Sequence, residues 1–161
     1  MSEYNPTAAE IFRDLCSYLD NNNWHYETVD GKYIKLGAKG EDLPIELSIG
    51  VQENPGMIRL YSFMPFKATQ EKMVEICMAL ALINNRLSTG RFEIDLSDYT
   101  INFSMNLFYE GVQMTHNLYE LMLIGSCRAI DDYNDKLLML CKGLMTFESF
   151  LKEELDGGAK A

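Results

Sequence analysis

A chain of 161 residues with 24 acidic against 14 basic side chains carries a formal net charge of −10. An acidic surface of that size repels nucleic acid and anionic membranes, so neither is expected as a partner. Hydrophobic residues at 47% and charged residues at 24% exclude a disordered chain and suit one folded domain.

Thr7-Ala8-Ala9-Glu10 has the form of a capping box and opens a first helix. Ala8, Ile11, Phe12, Leu15 and Leu19 recur at helical spacing behind it, leaving Glu10, Arg13, Asp14 and Ser17 for water. Asp20-Asn21-Asn22-Asn23 ends it, because short amide and acid side chains compete for the backbone. A strand over 24–29 then turns at Asp30-Gly31 into a second over 32–36. Residues 45–52 alternate with period two, which buries one face of a strand and wets the other. After the turn Asn54-Pro55-Gly56, a strand over 57–64 is expected to stop at Pro65.

A central helix over 69–87 carries Met73, Ile76, Cys77, Leu80, Ile83 and Leu87, widened by Val74, Met78 and Leu82. A stripe that wide implies burial on more than one side. Ser88-Thr89-Gly90 stops it. In the hairpin that follows, Phe92, Ile94 and Leu96 alternate with charged residues, and Ile101, Phe103, Met105 and Leu107 alternate with Thr100, Asn102, Ser104 and Asn106. The helical period resumes at Thr115 and runs to Leu144, as one helix or as two broken near Asp131-Asp132. A last short helix over 147–155 precedes a polar tail. The expected fold class is α+β, an antiparallel sheet with helices packed on one face in the order α-ββββ-α-ββ-α. One domain spans 1–145, with the short helix and a disordered tail over 146–161.

The first residues, Met1-Ser2-Glu3-Tyr4-Asn5-Pro6, lack the basic start and apolar stretch of a signal peptide. The most apolar run, 76–83, is far short of the roughly 20 residues that span a bilayer. A cytoplasmic location follows. Cys16, Cys77, Cys127 and Cys141 form no C-x-x-C pair and read as reduced core residues. His25 and His116 lie far apart, with no nucleophile and base in a recognisable order. No catalytic residue, metal site or cofactor is expected. The clusters Asp131, Asp132, Asp135 and Glu153, Glu154, Asp156 lack the spacing of a calcium loop and read as solvated faces. Gly37-Ala38-Lys39-Gly40 precedes no helix and reads as a loop.

The junction at 80–95, with its run N-N-x-L-x-x-G-x-F-E-x-D, resembles the YbjN-like family of bacterial proteins. Leu60-Tyr61-Ser62-Phe63-Met64-Pro65 upstream and Asp132-Tyr133 in the final helical stretch also fit, and the resemblance covers roughly residues 8–143. It implies a type III secretion chaperone-like fold and a sensory transduction regulator without enzymatic activity. By analogy of fold alone it also implies a homodimer that holds a segment of a protein partner.

If Ile58, Leu60 and Met64 face the helices, period two sends Met57, Arg59, Tyr61 and Phe63 to the other side of the sheet, joined by Tyr33. Aromatic residues and an arginine on a nominally wet face have the composition of an interface. The outer face of the later hairpin, with Glu93, Asp95, Asn102, Ser104 and Asn106, is expected to be solvated. The function that follows is a non-catalytic module binding a protein or peptide, regulatory or chaperone-like. The alternative is a small-molecule sensor or enzyme with a pocket between the sheet and the C-terminal helix.

Overall fold

The computed structural model describes residues 5–157. Helix α1 (Ala8–Asn21) begins at the expected capping box: the Thr7 hydroxyl accepts from the Glu10 N–H, and the Glu10 carboxylate accepts from the Thr7 N–H at 2.8 Å. Ile11, Leu15 and Leu19 are buried together with Tyr18. Strands β1 (Tyr26–Val29), β2 (Tyr33–Lys39), β3 (Pro44–Gln52) and β4 (Met57–Lys67) follow. Helix α2 (Met73–Asn84) separates them from β5 (Arg91–Ile94) and β6 (Thr100–Phe108). The chain ends in α3 (His116–Asp131), α4 (Asn134–Cys141) and α5 (Phe147–Gly157).

The strands form one antiparallel sheet in the order β1-β2-β3-β4-β6-β5. Helices α1, α3, α4 and α2 pack against β3, β6, β4 and β5 respectively, so they cover one face. That face supplies Ile34, Leu36, Leu47, Ile49, Ile58, Leu60, Ile101 and Phe103, all buried against Leu15, Met122, Leu123, Leu137 and Leu140 from the helices. Alternation in the strands thus sets the core, at about 25 cal/mol for each Å² of apolar surface removed from water.

Several expectations need correction. Strand β4 does not stop at Pro65 but continues to Lys67, and its register with β6 shifts between Phe63 and Lys67. An irregular register is where a strand tolerates a residue that cannot donate to the ladder. Strand β5 ends at Ile94, leaving Leu96 58% exposed in a turn where the Asp95 carboxylate accepts from the Ser97 N–H and hydroxyl. On α2, Ile76, Ala79, Leu80 and Ile83 are buried while Val74 and Met78 are exposed, so the wide apolar stripe is buried on one side only. The last helical stretch is two helices, with Asp132 closing α3 and Tyr133 preceding α4.

Two of the acidic residues read as solvated are structural. The Asp131 carboxylate accepts from the Glu41 N–H at 2.8 Å and fastens the β2–β3 turn. Glu154 is 5% exposed, and its carboxylate accepts from Lys136 Nζ at 2.7 Å and lies 3.5 Å from the Arg86 guanidinium. Arg86 also donates to the Glu154 backbone carbonyl. With Phe150 fully buried, α5 is packed against the helical layer, beside α2. Of the tail expected to be disordered, Asp156 and Gly157 end α5, and 158–161 lie outside the described residues.

Candidate functional site

The sheet face turned away from the helices carries the predicted patch. In β4, the odd positions Met57, Arg59, Tyr61 and Phe63 alternate with core residues, as period two requires. The Arg59 guanidinium lies 5.6 Å from the centre of the Tyr61 ring, and the Tyr61 and Phe63 rings stack at 6.4 Å with planes 17° apart. Three side chains two residues apart therefore form a continuous ladder along one strand. Phe63 is 61% exposed and Tyr33 54%. These are the outward-facing apolar groups of the set.

Register brings Tyr33 to this ladder. Tyr33 pairs with Gly50, Gly50 with Arg59, and Arg59 with Asn106, so the four lie in one row across the sheet. Gly50 leaves room for the Tyr33 ring, whose carbons come within 3.1 Å of the position a Cβ would take. A glycine in mid-strand thus acquires a cover from its neighbour's ring. The next row holds Lys35, Ser48, Tyr61, Ser104 and Arg91.

Met57 faces the same side but is only 4% exposed. It sits between Gln52 on β3 and Phe108 on β6, and cross-strand neighbours at such spacing cover a flexible thioether. Met57 therefore supports the patch from beneath and offers no surface, a correction to its place in the predicted set. Phe108, 58% exposed, takes the surface position instead. Extending the alternation of Asn102, Ser104 and Asn106 by one step points to it.

The outer face of the β5–β6 hairpin is polar, as expected, but not simply solvated. Ser104 is 2% exposed, and Glu93, Asn102 and Asn106 are half-buried. Burial pushes the Glu93 carboxyl up, but bonds from Arg91 Nε at 2.5 Å and Asn102 Nδ2 at 3.1 Å outweigh it and hold the group below the usual range. The Ser104 hydroxyl adds a minor lowering, although its Oγ reaches no partner at full hydrogen-bond geometry. Arg59 Nε and Asn106 Oδ1 are buried and unpartnered as well.

Beside the ladder, β1, β2 and β3 form a shallow groove of about 550 Å³ lined by His25, Glu27, Lys35, Gly37, Glu46 and Ser48. The space on the opposite side, between the sheet and helices α3 and α4, is filled by Met122, Leu123, Ile130, Leu137 and Leu140. His25 and His116 are both exposed, and the His116 ring packs edge-on to Tyr18 at 5.5 Å. Among the described residues no group of three or more His, Cys, Asp or Glu is placed to hold a metal ion. No helix among them is long and apolar enough to cross a membrane.

No family model matches the chain, and no curated protein matches it. Solved structures do. YbjN from E. coli, a candidate transcription regulator, superposes with a TM-score of 0.55 at 12% identity, covering 75% of this chain and 86% of its own. A chain from the crystal structure of the ExsC-ExsE complex superposes with a TM-score of 0.53 at 10% identity, covering 78% of this chain and 94% of its own. At such identities the likeness is one of fold. The YbjN-like, type III secretion chaperone-like α+β fold implied by the sequence resemblance is the fold of this chain.

Proposed function

We propose that the chain is a non-catalytic binding module that holds a protein or peptide on the open face of its sheet, in a regulatory or chaperone-like role. The observation that carries this reading is the ladder of Arg59, Tyr61 and Phe63 flanked by Tyr33, with Phe63 and Tyr33 more than half exposed. Stacked rings are rigid, so they give up little conformational entropy when a partner covers them, and a nearby arginine adds orientation. The fold likeness supports the reading, since one neighbour is a candidate regulator and the other was solved in a two-protein complex. The further elements of the proposal are a homodimer, a bacterial cytoplasmic setting and no enzymatic activity.

Native mass spectrometry of protein gently purified from its own host tests this. The expected mass is that of two chains plus a second polypeptide. Replacing Tyr61 and Phe63 together by alanine removes that polypeptide while leaving the circular dichroism spectrum unchanged. Bare chains carrying a few hundred daltons would overturn the reading in favour of a small-molecule sensor.

A further inference from the structure

The open face differs in charge from the rest of the molecule. Its strand positions carry five basic side chains, Lys35, Lys39, Arg59, Arg91 and Lys67, the last bonded to Asp98, against three acidic ones, Glu27, Glu46 and Glu93, on a chain whose net charge is −10. The acidic excess therefore lies elsewhere. At physiological salt the Debye length is about 8 Å, so carboxylates farther than that from this face act only weakly on a ligand there.

Arg59 is the unusual member. Arg91 is committed to Glu93, whereas Arg59 makes no ion pair among the described residues. Its Nε is buried without a hydrogen-bond partner, and so is Oδ1 of its cross-strand neighbour Asn106. A guanidinium half-withdrawn from water and without an ion pair takes a carboxylate well at its terminal nitrogens, because the fork and the two oxygens match. Tyr61 supports one face of the guanidinium, and Phe63 continues the apolar surface beyond it.

Resting on the reading that the open face holds a peptide, we propose that its occupant is an acidic extended segment of a partner protein, with one carboxylate on Arg59 and an adjacent apolar side chain on the Tyr61–Phe63 stack. In an extended segment, side chains two apart project to the same side about 6.6–6.8 Å apart. That spacing matches the ladder, where Arg59, Tyr61 and Phe63 also stand two residues apart on one strand. The carboxylate fixes register and the aromatic stack supplies contact area.

The test uses three fluorescein-labelled peptides, Gly-Glu-Ser-Phe-Ser-Glu-Gly and its versions with both glutamates changed to glutamine or to lysine, titrated against the full chain at low and physiological salt. The glutamate peptide is expected to bind at least tenfold more tightly than the glutamine peptide, with the lysine peptide weakest. Arg59→Gln should erase the difference between glutamate and glutamine while leaving the melting temperature unchanged, and Arg59→Lys should restore part of it. Equal binding of the glutamate and glutamine peptides, both lost in Tyr61→Ala with Phe63→Ala, would overturn the carboxylate assignment and leave the open-face reading standing. Binding of no peptide, or binding untouched by the double variant, would overturn both. A chain that turns from dimer to monomer in Arg59→Gln by sedimentation, without peptide binding, would overturn the acidic segment and name a second copy as occupant.

Discussion

Helix α5 lies beyond the boundary at residue 145 that composition suggests, yet Phe150 is fully buried in the helical layer and Glu154 is bonded to Lys136 on α4 and to Arg86 in the turn after α2. Phe150→Ala tests whether the helix belongs to the cooperative unit. Removing a fully buried phenylalanine ring costs about 3–5 kcal/mol, from lost transfer energy plus the cavity left behind. For a chain of this size each kcal/mol moves the melting temperature by about 2–4 °C, so a fall of roughly 6–20 °C is expected. Urea unfolding followed by the fluorescence of Trp24, the one tryptophan, reports on the opposite end of the molecule and so registers the loss only if α5 and the sheet unfold together. Leu155→Ala on the same helix, at a position 58% exposed, serves as the control and should stay within about 0.5 kcal/mol. A Phe150→Ala change below about 1 kcal/mol by the Trp24 signal would refute the argument and make α5 a separable appendage.

Gly90→Ala should destabilise by more than about 1 kcal/mol: its φ is +72°, and a Cβ there would stand 2.3 Å from Phe103 Cζ, a ring already packed edge-on to Phe92 at 5.2 Å. Unchanged urea midpoints would show that the α2–β5 turn relaxes freely. Stability should also fall as pH rises from about 9 to about 11. Burial pushes the Cys127 and Cys141 thiols up to about 11 from an ordinary 9.0, with Asp131 adding to the shift at Cys127. The unfolded chain therefore loses these protons first, and alkali favours it. Urea midpoints at pH 8 and pH 10.5 should differ less in Cys127→Ala with Cys141→Ala than in the unaltered chain, and an equal difference would refute burial as the cause.

Much of this architecture was legible because its signals are local. The Thr7–Glu10 box, the alternation in β3 and β6 and the left-handed turn at Gly90 each depend on residues within a few positions of one another, although α2 itself ends at Asn84, short of the expected residue 87. The outward side of β4 was legible for the same reason, which is why Arg59, Tyr61 and Phe63 were found together. What failed depended on distant neighbours. Met57 carries no sign of its cross-strand neighbours Gln52 and Phe108, and Glu154 none of Lys136 and Arg86, since those partners come from other elements. The apolar width of α2 could not say that Val74 and Met78 face outward, because periodicity reports which residues share a side and not what lies against it. Pro65 misled for a related reason: the shift in register that admits it belongs to the pairing with β6.

The strand order carries a kinetic consequence. From β1 to β4 each strand pairs with the next in sequence, whereas β4 meets β6 only after α2 and β5 have been bypassed. Sequential hairpins close short loops and form quickly, while the β4–β6 seam must meet the entropy of a much longer closure before its contacts repay it. Arg59, Tyr61 and Phe63 stand on β4, with Asn106, Ser104 and Asn102 facing them from across that seam. The half of the chain that folds first thus displays the rings, but the surface that would receive a ligand is complete only once the slowest pairing has closed, which makes recognition competence a late event in the life of each molecule.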